Sequence, residues 1–181
     1  LDNPSNTVNK TAFLAMMVAL ILATNYAMFG VANVKLMDML VFLTGFWLGP
    51  WYGAAAGVLS WSVYGTFNPL GFSLLTLATV APMEAVYGMF GGFIGRRVRG
   101  PFSLIAWSFS VAGLLTTLAY DVVTNAVTGA IFYSSALTGV VVGIPFSLVH
   151  IASNLVQFSL LAPSLVVKTS SMIPTEASQV G

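Results

Sequence analysis

Asp38, Glu84, Asp121 and His150 stand in or beside long apolar stretches of this sequence. A charged side chain at the centre of a membrane helix costs about 2.5–3.5 kcal/mol on insertion scales, so such groups normally face the bundle interior and do something there. Amides and hydroxyls accompany them at helical spacing. Thr117, Asp121 and Asn125 follow a four-residue step and share one face, and Thr128 continues it. His150, Asn154 and Gln157 recur at i, i+4 and i+7 on another. An acceptor at Asp121 and an amide at Asn125 suit a polar solute. His150, Asn154, Glu84, Asn25 and Tyr26 complete the candidate binding set. Each also has a structural reading. Asp121 and Asn125 fit an interhelical network, and His150 and Gln157 fit satisfied core positions. Glu84 fits a protonated acid or a partner of His150, and Asp38 fits a cap on the helix it begins. Asp121, Glu84 and His150 are also the residue types of acid–base catalysis, so an intramembrane enzyme is an alternative.

Other chemistries are absent. There are no cysteines, which removes disulfides and thiolate nucleophiles. No Gly-rich loop leads into a Lys for phosphate binding, and no His-Glu-x-x-His cluster supports a metal, so neither a metal nor a cofactor is expected. Six Lys and Arg are too few and scattered for a nucleic-acid surface.

The elements that must position these groups follow from composition. The 181 residues are 57% hydrophobic and only 6% charged, against about 25% charged in an ordinary soluble domain. The mean hydropathy is +0.92. This is the composition of an all-α integral membrane protein. Apolar segments fall at 11–31, 36–48, 52–65, 71–95, 102–131 and 139–166. Gly49-Pro50, flanked by Trp47, Trp51 and Tyr52, reads as a tight turn at an interface, which divides 36–65 into two short helices. Charge parity agrees. If the Arg96, Arg97 and Arg99 cluster is cytoplasmic, Lys10 and Lys168 join it only when six segments cross, leaving Lys35 outside. The expectation is a compact six-transmembrane-helix bundle over residues 10–167 with both termini cytoplasmic. Asp121 and Asn125 then lie in the outer half of the membrane. Asp38 and Lys35 lie at its outer surface. Residues 1–9 form a polar N-terminal segment, and 168–181 a polar tail expected to be disordered. The start at Leu1 rather than Met is read as a trimmed chain or part of a longer one.

Small residues mark two further surfaces. Ala15, Ala19, Ala23 and Ala27 form a ladder along one face of the first helix. Gly88 with Gly92, and Gly91 with Gly95, make overlapping small-xxx-small pairs in the fourth, read as tight helix packing.

Taken together, the six-helix plan, the alanine ladder and the stretch from Leu43 to Gly57, with its Gly49-Pro50-Trp51-Tyr52-Gly53 turn, resemble the substrate-binding S-component of an energy-coupling factor (ECF) transporter. The resemblance covers roughly residues 10–167. It implies a non-catalytic subunit in a prokaryotic plasma membrane that captures a vitamin-like micronutrient from outside. Its implied partners are a transmembrane coupling protein and two cytoplasmic ATPases. Ala15, Ala19 and Ala23 match the family's docking surface, and Asp121, Asn125 and His150 fall where its pocket is built. The first outer loop, near 31–35, is short, so loops near 65–69 and 133–135 are expected to supply the lid. A structural or assembly subunit of another membrane complex is the alternative reading.

Overall fold

The computed structural model describes residues 4–69 and 71–169, and it is helical throughout, with no strand among the described residues. The helices are α1 (Pro4–Ala27), α2 (Met37–Leu48), α3 (Pro50–Thr66), α4 (Leu74–Gly95), α5 (Phe102–Phe132) and α6 (Ala136–Val156). A π turn, Gln157–Leu161, carries α6 without a break into α7 (Ala162–Thr169). Every apolar segment of the sequence thus becomes a helix. Four runs are long and apolar enough to cross a membrane: Thr7–Ala27, Leu74–Gly95, Phe102–Phe132 and Ala136–Thr169.

Two boundaries differ from expectation. The first helix starts at Pro4 and stops at Ala27, because Pro at the first turn costs no hydrogen bond and polar residues such as Asn6 and Lys10 do not oppose helix. The polar tail expected from 168 begins later, since Lys168 and Thr169 complete α7; positions 170–181 lie outside the described residues.

Local chemistry sets the other ends. Ser73 and Ser135 cap α4 and α6, each hydroxyl accepting from the backbone N–H three residues on at 3.2 Å. Gly49 adopts φ 101°, open to glycine, and lets α2 fold straight back into α3, where Pro50 takes the first position. Pro163 explains the π turn. Its ring would strike the carbonyl of Ser159 in a regular α-helix, and the wider turn opens that space.

Consecutive helices run antiparallel. The connections 28–36, 67–73 and 133–135 gather at one end of the bundle, with the α2–α3 turn and 96–101 at the other. Lys10, its ammonium 5.9 Å from the Tyr52 ring, is at the second end with Arg96, Arg97 and Arg99. Lys168 closes α7 there, as charge parity requires.

The glycine pairs of α4 bring three backbones together. A Cβ at Gly88 would meet the backbone of Gly53, and one at Gly92 that of Pro50. On the neighbouring face, Gly91 lies on the carbonyl of Phe42 and Gly95 on that of Phe46. All of α2 except Phe46 is buried. At 12 residues, roughly 18 Å at 1.5 Å per residue, it is too short to cross a bilayer alone. Its neighbours shield it instead. The aromatic core of Phe42, Phe109, Phe158 and Tyr87 fills the space between α2, α4, α5 and the π turn.

Helix α1 is peripheral. Met17, Ile21 and Asn25 face inward, while Ala15, Ala19, Ala23 and Ala27 face out, uncovered by any of the described residues.

Candidate functional site

The short α2 puts Asp38 inside the protein. Rather than capping α2 at a surface, Asp38 is 5% exposed and makes no capping bond. The 28–36 connection runs down beside α6, where the Asn33 side-chain amide donates to the Phe146 carbonyl at 3.1 Å. The first turn of α2 therefore begins within the bundle. A carboxylate there still meets the positive end of the helix dipole.

From this position Asp38 reaches His150. Nε2 of the imidazole lies 2.6 Å from Asp38 Oδ2, and Nδ1 lies 2.8 Å from Asp121 Oδ1. The ring thus bridges α2 and α5 from α6. The imidazolium form donates to both carboxylates at once. Tyr120 packs its ring edge-on against the imidazole at 5.7 Å.

Beneath this clamp a hydrogen-bonded layer links four helices, although Asn154 Oδ1 is buried without a partner among the described residues. The Asn154 amide spends its hydrogens on Asp38 Oδ2 at 2.7 Å and Thr117 Oγ1 at 2.9 Å. Thr117 also accepts from the Tyr87 hydroxyl at 2.9 Å and donates to the Gly113 carbonyl at 2.7 Å. One donor and two acceptor sites of the hydroxyl are used. This layer ties α2, α4, α5 and α6 into a single floor.

Above the floor is a cavity of about 240 Å³. Its walls include Asp38, Asp121, Asn125 and His150, with Trp61 and Tyr120 as aromatic faces and Lys35 from the 28–36 connection. Asn125 is held by its own donor bond to Ser147 Oγ at 3.1 Å. Gly143 makes room for it, since a Cβ there would strike the Asn125 amide. Burial pushes the Lys35 ammonium below its usual range, while Asp38 and Glu84 pull it back. The amine rests on two ring faces, 4.5 Å from the centroid of Tyr64 and 5.3 Å from that of Trp61.

Of the residues nominated from sequence, Asp121, Asn125 and His150 line the cavity. Asn154 lies in the floor. Glu84 stands behind the wall, accepting from Trp61 Nε1 at 3.2 Å rather than pairing with His150. Asn25 and Tyr26 are not among the lining residues. Asn25 donates to the Met37 sulfur at 2.9 Å, and Tyr26 reaches the Phe67 carbonyl at the end of α3. Gln157 is buried in the π turn. The loops expected to form a lid contribute nothing to the lining; the 28–36 connection does, through Asn33 and Lys35.

No family model, curated protein or solved structure matches this chain.

Sequence reasoning missed Lys35, Trp61 and Tyr120 as wall residues and Tyr87 as floor, and it placed Thr117 on the Asp121 face without naming it a site residue. Thr117 and Tyr120 sit on the same helix as Asp121, which was the available signal. Lys35 and Trp61 carried none, because their neighbours are distant in sequence.

Proposed function

We propose that the chain is the solute-binding subunit of an ECF-type importer, crossing a prokaryotic plasma membrane six times with both termini in the cytoplasm. In this reading a vitamin-like micronutrient enters the cavity from outside. A transmembrane coupling protein then docks on α1, and two cytoplasmic ATPases supply the energy. The protein itself performs no chemistry.

The observation that carries the reading is the cavity. It is small, it sits in an apolar bundle, and its polar wall is tied from below to the hydrogen bonds that the Asn154 side-chain NH2 and Thr117 make. Sites for small molecules are concave, mostly preformed and marked by a few convergent polar groups. A bundle held together only by polar contacts needs no such space above them. Grouping of Lys10, Lys168 and the arginines at the end remote from the cavity favours a cavity that opens outward.

The outward alanines favour the docking half of the proposal. Helices in lipid associate where small side chains let backbones approach, and Ala15, Ala19 and Ala23 leave such a surface uncovered. Cavity and ladder belong to different helices, so solute and partner do not compete for one surface.

Native mass spectrometry of the purified protein tests the reading. One small molecule bound per chain is expected, with weaker binding after Asp121→Ala in a protein that still elutes as a single species. Turnover of a substrate by the isolated chain would favour the enzyme alternative instead.

A further inference from the structure

Two charged groups of opposite character line the cavity beside the clamp. Asp121 gives Oδ1 to His150 and its carboxylate lines the cavity. Lys35 lines the same cavity with aromatic rings as its neighbours. Ring faces attract a cation without using up its N–H donors as a carboxylate does. Both ion pairs of the site are made by His150, not by Lys35. Asp38 and Glu84 act on Lys35 through space, and no ion pair joins Lys35 to Asp121 among the described residues. Trp61 and Tyr120 line the same space.

Size narrows the occupant. A volume near 240 Å³ corresponds to about eight waters at ~30 Å³ each, enough for one compact ring with short polar arms.

We infer that the solute is a small amphoteric molecule, with an anionic group such as a carboxylate for Lys35, an N–H donor for the Asp121 carboxylate, and a planar or apolar body against Trp61 and Tyr120. This rests on the solute-binding reading above and gives that solute a chemical class. A purely cationic solute would bring a like charge to Lys35. A purely anionic one would bring a like charge to Asp121. Only a molecule bearing both groups meets both walls.

To test this, the full chain in lipid nanodiscs is equilibrated with the low-molecular-mass fraction of yeast extract. It is then washed and denatured, and the released compounds are identified by mass spectrometry against empty nanodiscs. The expected result is a compound, near one per chain, that carries both an acidic group and an N–H donor. Its capture should fall by about tenfold or more in Lys35→Gln and in Asp121→Asn, the effect of losing one hydrogen bond to a charged group. A captured compound lacking either group overturns the inference and leaves solute binding standing. So does undiminished capture by either variant. If a variant does not fold, the chemical class of the compound held by the unaltered chain decides alone. Should neither the extract nor the expression host supply a bound compound, the solute-binding reading falls, and this inference with it.

Discussion

Asp38 and His150 stand 112 positions apart in the chain and 2.6 Å apart in the bundle. Their contact joins the shortest apolar helix, α2, to the last long one, and Asp121 completes it from α5. Three separately coded helices therefore meet at one imidazole. The cavity lies directly on top of that meeting point.

Removing the imidazole leaves Asp38 and Asp121 without the group that hydrogen-bonds to both of them. Breaking a buried pair by deleting one partner costs about 3–5 kcal/mol. His150→Ala should therefore lower the melting temperature sharply in detergent. Replacing His150, Asp38 and Asp121 together by Leu should recover much of that loss while abolishing solute capture. A single variant as stable as the parent would show that the clamp does not hold the helices.

Glycine at position 91 is set by the carbonyl of Phe42, on which any side chain would land. Gly91→Ala should destabilise by about 1–3 kcal/mol or prevent folding, the usual range for overpacking. At Gly30 a Cβ meets nothing within 4 Å, so Gly30→Ala serves as the control and should change little. Equal melting temperatures for the two variants would contradict the close approach of α2 and α4.

Asn125 and Gly143 are coupled by space. Gly143→Ala should displace the Asn125 amide and weaken solute capture without reaching the solute itself. In an Asn125→Ala background the same change should be nearly neutral for stability. A double-mutant cycle measures the coupling, expected within the range of about 0.5–3 kcal/mol for contacting residues. Simple additivity would separate the two positions.

The alanine ladder predicts a split between binding and uptake. Ala19 is exposed on α1, so Ala19→Trp should alter stability by no more than about 0.5 kcal/mol, as for most surface changes. Capture by the purified chain should persist while uptake in cells is lost. Normal uptake by this variant would make the ladder a lipid-facing surface only.

Much of the helical layout was legible because hydropathy and turn chemistry are local. Gly49-Pro50 divides α2 from α3 where the sequence says it must, and the α4 glycines pack as their spacing predicts. The four-residue steps on α5 and α6 also pointed correctly toward one shared interior. The depth of Asp38 was not legible. A carboxylate in the first turn reads as a surface cap unless one knows that its helix is short and enclosed on every side. The same limit hid Lys35, whose aromatic neighbours are 26 and 29 positions away. Asn25 and Tyr26 erred in the other direction, since polarity near a helix end identifies an inward or wet face but not which space it borders.

Along a regular α-helix, residues four apart drift round the axis by roughly 40° at each step. Asn154, Phe158, Ala162 and Val166 take three such steps, and all four remain buried. The wider winding of the π turn absorbs the drift. The last helix is therefore two rods joined by a phase corrector, the upper one aiming His150 and the lower one seating Ala162 and Val166. Deleting Ser159 would leave Ala162 and Val166 about seven and eleven residues after Asn154, a spacing that an unbroken α-helix at roughly 100° per residue keeps on one face. The π turn therefore houses one surplus residue without disturbing the aim of either rod.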